Sequence, residues 1–532
     1  MGQLIARYRT WWNRAVLTKR GVVVTSAACG LAFAVAVSVG RGWPVPPQVH
    51  DEMSYLLGAD TFAHGRLSNP TPPLWEHFET FHELMRPAYA SKYLPAPALF
   101  LAAGQLLTGY PIVGVWISSA LMCAAIAWML LGWVRPRWAL WGTLTTLFLI
   151  VAVPPNGYWI ASYWGGTVAA LGGALAVGGA RRIVRDSTAG SAALFALGLG
   201  LLVLSRPFEG GLVAIPPVVS VAWWLARRHE VTWRRKVRCV LVPGAVVLGA
   251  AGAFLLAVNY RVTGSAYRLP YVEYDGQYSL VPTFRLTAAP NDSLAYRNGE
   301  MEAFYQQKRD EAMHANSADG VVRDTVERFR QITDFLAPGI VGLLIVLAAL
   351  SFPFAGFRIA VAGVALVLLG SLAVTWYLPH YIAPLLGPWA LLLTEGARRL
   401  HLLAARRYRV GAALVRVMFL LAMLPSCGTL VRVWQKRADS RELWYVQRHA
   451  IASSLTAGGG RHLVLVSYGP SHAPEQEWVY NPANFEESPV LWARSLSAEK
   501  DAALLAYFRD RVAWRVAVDS MRGPFHLIRT RP

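Results

Sequence analysis

Apolar runs long enough to cross a bilayer recur along this chain and constrain its fold more than any other feature. A spanning helix needs about 20 mainly apolar residues. Such runs fall at Val22–Val39, Ile112–Val134, Trp138–Val153, Gly165–Ala180, Ala189–Leu204, Gly210–Leu225, Val240–Val258, Pro338–Ala355, Ile359–Thr375, Tyr381–Gly396 and Val410–Cys427. They predict an all-α polytopic membrane bundle of about 11 transmembrane helices, because lipid offers the backbone no partners outside its own segment. Composition agrees. Of 532 residues, 55% are hydrophobic and 15% charged, with mean hydropathy +0.36. Soluble domains carry about 25% charged residues.

The formal net charge is +20. The basic residues form no stripe with interleaved aromatics, so no nucleic-acid partner is expected. They cluster in short connections: Arg135/Arg137, Arg181/Arg182/Arg185, Arg227 to Arg238, and Arg398 to Arg409. Inner loops collect Lys and Arg. With the N-terminus inside, all these clusters face inward, provided that the apolar run Leu94–Thr108 lies on the membrane surface and does not cross. The first run follows Arg14, Lys19 and Arg20 and lacks a small-residue cleavage site, so it reads as a retained signal anchor. Cys29, Cys123, Cys239 and Cys427 sit in or beside apolar runs and read as buried small hydrophobes, neither disulfides nor metal ligands.

The organisation expected is a transmembrane domain over residues 1–427 and a soluble tail over 428–532. The transmembrane domain carries a first outer loop at 40–110 and a long outer loop at 259–336. The tail predicts helix, strand, strand, helix, strand, strand, with its strands at His462–Tyr468, Val490–Arg494, Ala513–Val518 and His526–Arg529, a small C-terminal α/β domain outside the membrane.

The strongest chemical signal follows the first span: His50-Asp51-Glu52-Met53-Ser54-Tyr55, continuing to Ala59. Adjacent carboxylates on a helix point about 100° apart, so Asp51 and Glu52 would do different jobs. One suits general-base work and the other positioning. The alternative is helix capping by Asp51, since acids favour the first turn. Further on, Glu79, His82 and Glu83 would share a helical face and suit a divalent cation. They do not form H-E-x-x-H, and no resident metal or other cofactor is expected. The aromatic turn Asn156 to Gly166 and the outer-loop Tyr267, Tyr271, Tyr274 and Tyr278 read either as an interfacial belt or as a platform for a sugar.

A first span followed by Asp-Glu-x-x-Tyr-x-x-x-Ala resembles the integral-membrane glycosyltransferases of the GT-C fold. These include protein O-mannosyltransferases, aminoarabinose transferases of lipid A and rhizobial galacturonosyltransferases. Three more places carry the resemblance. Lys92-Tyr93-Leu94-Pro95-Ala96-Pro97 stands where the family has Lys-x-Pro-Pro, with the prolines shifted. Ser205-Arg206-Pro207 matches a basic-residue/Pro turn. His380-Tyr381-Ile382-Ala383-Pro384 matches Arg-Tyr-x-x-Pro, with His for Arg.

The resemblance implies a bacterial inner-membrane enzyme, multi-pass, with its N-terminus inside and its tail outside. It would move a sugar from a polyprenyl-phosphate donor, with inversion, to an extracytoplasmic glycan, lipid or protein acceptor. Asp51 would be the catalytic base and Glu52 its partner. Lys92, Arg206 and His380 would hold the donor phosphate. Tyr55, Tyr163, Trp164, Glu209 and Tyr381 would line the substrate. The competing readings are a transporter or flippase, or a non-catalytic partner in surface-polysaccharide assembly. Transporters place ionisable groups at mid-membrane, and here the expected spans carry almost none; Arg416 lies near the inner end of its run.

Overall fold

The computed structural model describes residues 15–152, 159–336, 356–407, 410–435 and 439–530, with positions 342, 346, 347, 349 and 350 besides. The chain forms two compact units. The first combines Met1–Gly40, Val115–Ala253 and Val321–Val433, and the second combines Arg41–Gly114, Phe254–Gly320 and Trp434–Pro532.

The first unit is helical. Among the described residues, five helices are long and apolar enough to cross a membrane: Lys19–Arg41, Ile112–Leu130, Gly166–Asp186, Pro207–Arg227 and Trp233–Thr263. Helices also cover Pro136–Ala152, Ala189–Val203, Phe357–Ser371, Leu386–Arg407 and Gly411–Gln435. The expected span Pro338–Ala355 falls almost wholly outside the described residues.

Gly166–Asp186 is the central helix, with 83% of its apolar window buried; Trp233–Thr263, at 6%, presents its surface to the surroundings. Close backbone approach at glycine seats the central helix. A Cβ on Gly173 would meet the Pro384 carbonyl oxygen at 1.9 Å, and one on Gly198 would meet the Ala176 nitrogen at 2.5 Å. Small residues let backbones approach where no hydrophobic force drives helix association. Lys19, Arg20, Arg182 and Arg185 line one cavity of about 430 Å³ with Trp128. The basic end of the first helix and the basic end of the central helix therefore share one end of the bundle. Of the cysteines, Cys123 is buried as expected, Cys29 and Cys239 are half-buried and Cys427 is exposed. Cys427 lies on a helix whose outer surface is unpacked, so its apolar run marks a lipid-facing position and not a core one.

The second unit is built on a four-stranded sheet. Two short strands come earlier: β1 (Glu83–Leu84) pairs with β2 (Ala90–Ser91). The sheet comprises β3 (His462–Tyr468), β4 (Val490–Arg494), β5 (Val512–Val518) and β6 (Ile528–Arg529), in the order β4-β3-β5-β6. The first three are parallel, with His462 opposite both Val490 and Val512, and β6 is antiparallel to β5. Strands covered on both faces read as continuous apolar runs, which accounts for Leu463-Val464-Leu465-Val466. Leu463 and Leu465 pack against Leu57, Phe78, Met85 and Tyr89 from the segment after the first helix, together with Leu504 and Phe508. Val464 and Val466 pack against Trp444, Trp478 and Met53. The tail and the segment after the first helix thus share one core.

Candidate functional site

The helix His50–Ala63 opens at an extended Val49 that supplies no side-chain cap. Glu52, buried at 4% exposure, reaches back and accepts the Gln48 N–H at 2.7 Å. Glu52 therefore closes the first turn, and Asp51 is left to face elsewhere. Asp51 keeps 26% of its side-chain surface while its neighbours are buried. The Tyr93 hydroxyl donates to its Oδ1. His50 Nδ1 lies 3.1 Å from Oδ2, and His82 Nε2 lies 3.8 Å from Oδ1. Burial pushes the Asp51 carboxyl up, but His82, His50 and Tyr93 together outweigh it and hold it well below the usual carboxylate range. The group is an accessible anion at neutral pH.

His82 reaches this position through its backbone. Its φ is +62°, a left-handed conformation uncommon for a side chain with a Cβ. Three hydrogen bonds hold the residue there: its N–H donates to the Tyr274 hydroxyl at 2.8 Å, and its carbonyl accepts from Ser54 Oγ at 2.6 Å and from Lys92 N at 3.1 Å. Strain of this kind persists where the surroundings over-determine it. Burial, then the Lys92 cation, hold the His82 imidazole well below its ordinary range despite the opposing pull of Asp51.

The turn also corrects an expectation. Glu79, His82 and Glu83 do not share a helical face. Glu79 accepts from the Tyr278 hydroxyl at 2.9 Å and lies 3.6 Å from Arg297. Glu83 starts β1 with both carboxyl oxygens buried and without a hydrogen bond, and burial pushes its carboxyl well up.

Lys92 is buried at 8% exposure. Its Nζ lies 4.6, 5.3 and 5.5 Å from the ring centres of Tyr274, Tyr271 and Tyr93. Burial lowers its pKa, while Asp275 and Asp51 pull the other way. Tyr55 stacks on Tyr93 with centroids 4.2 Å apart. The second unit thus joins Asp51, Lys92 and Tyr55 with four groups that the sequence reading had not placed at the site: His50, Tyr93, Asp275 and the ring of His82. Tyr271 and Tyr274, which the sequence offers either as an interfacial belt or as a sugar platform, line the Lys92 ammonium instead; their helical spacing within Pro270–Tyr278 is the available signal.

The other expected residues lie in the first unit and form a chain of ring contacts. The Arg206 guanidinium lies 4.4 Å from the Tyr381 ring. Tyr381 meets His380 at 4.8 Å, and His380 meets Trp164 at 4.7 Å. Arg206 caps the helix Pro207–Arg227, which carries buried Glu209 in its first turn. His380 and Tyr381 sit on the 3₁₀ segment Pro379–Leu385, seated by the contact of Pro384 with Gly173. Tyr163 is buried at 4% exposure. The start of the aromatic turn, through Tyr158, lies outside the described residues.

No protein-family model matches the chain, and no curated protein matches it in sequence. Solved structures do. ArnT from Cupriavidus metallidurans bound to undecaprenyl phosphate superposes with a TM-score of 0.54 at 15% identity, covering 92% of each chain. The apo state of the same protein gives 0.50 at 14% identity, again over 92% of each. The chain has the GT-C fold. At this identity the likeness is one of fold.

Proposed function

We propose that this protein is a membrane glycosyltransferase that moves a sugar from a polyprenyl-phosphate donor to an acceptor on the outer side of a bacterial inner membrane. The observation that carries this reading is the Asp51 carboxylate, ionised and accessible, in one cluster with the caged Lys92 ammonium. The fold supports it, since a structure with that fold holds undecaprenyl phosphate.

In the reaction an acceptor hydroxyl oxygen attacks the anomeric carbon. The bond from that carbon to the phosphate oxygen breaks, and its electron pair leaves with the polyprenyl phosphate. The hydroxyl proton passes to Asp51. A carboxylate held this low is a weak base, so it takes the proton late, once the new C–O bond has made the hydroxyl acidic. Its negative charge meanwhile offsets the developing oxocarbenium ion. Glu52 fixes the turn that aims Asp51. Lys92 would meet the phosphate, and Arg206 and His380 keep the phosphate-binding role that the family resemblance implies for them. Tyr55, Tyr163, Trp164, Glu209 and Tyr381 would contact the sugar or acceptor. The leaving phosphate is ionised and held by cations, so no strong general acid is required. The soluble tail, residues 428–532, would lie on the same outer side.

The test is transfer of label from polyprenyl-phosphate sugars to cell-envelope acceptors. Asp51→Asn keeps an oxygen to accept from Tyr93 and removes the base; the expected loss in kcat is about 10²- to 10⁴-fold with the fold retained. Equal transfer by the folded variant would reduce Asp51 to a residue of the first helical turn.

A further inference from the structure

His50, Asp51 and His82 offer one ligand atom each, all within 4.8 Å of one another. We infer that they form a divalent-cation site of two imidazoles and one carboxylate. The chemistry of the donors comes first. Two histidines with one carboxylate suit Zn²⁺ and related transition ions, and leave coordination positions for substrate. Burial comes second. His50 is 6% exposed and His82 is 8%. Nε2 of His50 and Nδ1 of His82 are buried without a hydrogen-bond partner, and His50 Nδ1 faces the carboxylate at 3.1 Å. A buried polar atom left unsatisfied destabilises the fold. Two imidazoles held face to edge, with centroids 4.4 Å apart beside one carboxylate, are an expensive arrangement unless something binds between them.

Distance is the third argument. Donors around one Zn²⁺ sit about 2.0–2.2 Å from it, hence no more than about 4.4 Å from each other. A spread of 4.8 Å closes with a small side-chain rotation, since the two contacts to Asp51 are already 3.1 and 3.8 Å. Two effects oppose a cation here. The site opens a helix, whose N-terminus carries partial positive charge. Lys92 is close by, but its charge also faces Asp275 and three tyrosine rings. Neither matches the gain from three metal–ligand bonds. The site stands on these side chains alone and takes one carboxylate oxygen of Asp51, leaving the other for the acceptor proton; that its metal would assist at a donor phosphate rests on the transferase reading.

The experiment uses the full, untagged chain in detergent, stripped with a chelator and titrated with Zn²⁺ against a chromogenic competitor. One Zn²⁺ per chain is expected. Affinity should fall more than about 100-fold in His50→Ala and in His82→Ala, because even outer-shell changes cost about 10–100-fold. His64→Ala, an exposed histidine on the same segment, should leave it unchanged. Should the variants misfold, wild type loaded with Cu²⁺ decides: pulsed paramagnetic resonance should show nitrogen couplings from two imidazoles. Wild-type binding no tighter than the variants', or fewer than two imidazole couplings, overturns the site. A chain that transfers sugar yet binds no metal overturns this inference and leaves the transferase standing. A chain that binds Zn²⁺ and transfers nothing supports the site and counts against the transferase.

Discussion

Lys92→Met separates the roles of charge and packing at this site. In the folded chain the ammonium meets three tyrosine rings, the nearest centre 4.6 Å away. A desolvated cation–π contact contributes about 2 kcal/mol. Methionine has similar length, recovers about 0.3–1.5 kcal/mol through sulfur–aromatic contacts, and escapes the penalty of burying a charge. Against these gains Asp51 and Asp275 lose the cation they face, so a moderate fall in melting temperature with the fold retained is expected. Turnover should fall too. A charge-assisted hydrogen bond contributes about 1.5–3 kcal/mol, which converts to a loss of about 10- to 150-fold in kcat/KM. The donor phosphodiester carries one negative charge, and the departing phosphate carries two. The ammonium thus binds the transition state more tightly than the donor, so the loss should fall on kcat as well as KM. Lys92→Arg should recover part of it. Steady-state kinetics on a labelled donor checks this. An unchanged kcat with raised KM would mean that Lys92 grips only the ground state. No change in either would make it a structural cation in a tyrosine cage.

Other outcomes follow from the second unit. Arg494 Nη2 donates to Glu477 at 2.5 Å, with both side chains at most 4% exposed. Glu477→Gln leaves the buried guanidinium uncompensated and should cost about 3–5 kcal/mol, read from thermal unfolding. His449 is pushed below the ordinary imidazole range, first by burial and then by Arg448. Between that lowered value and about 6.5 the unfolded chain binds a proton that the folded chain does not. Stability should therefore be complete above about 6.5 and fall as pH drops through the window. Melting curves taken across that range should flatten in His449→Gln.

Much of the fold was legible because its periodicities are local. Among the described residues most of the apolar runs lie in helices, and β3 and β4 start and end where the tail's apolar clusters do. Asp51 was legible from its place after a span. The groups around it were not. His82 was read with Glu79 and Glu83 at helical spacing, and that reading fails because the chain turns at a left-handed His82 and enters β1. The hydrogen bonds that hold this turn come from Ser54, Lys92 and Tyr274, residues far apart in sequence. The Lys92 cage likewise needs Tyr93 from one segment and Tyr271 and Tyr274 from another. No window on the sequence contains either arrangement.

The same geometry changes what the tail is for. Read alone, it is an appended α/β domain. In the structure its sheet holds the helix that carries Asp51: Leu57 packs with Leu463 and Leu465, and Met53 packs with Val464 and Val466. Asp60, one turn from the end of that helix, accepts the Ala483 N–H at 2.7 Å and the Gln105 side chain at 2.7 Å. Tyr89 donates to the Asn481 carbonyl, and His77 lies 2.8 Å from the Arg494 carbonyl. Remote residues that fix a reacting group within about an ångström govern rate as strongly as many that touch substrate. The tail's core is therefore part of what positions Asp51, and a change that loosens β3 or β4 acts on the carboxylate through Met53, Leu57 and Asp60.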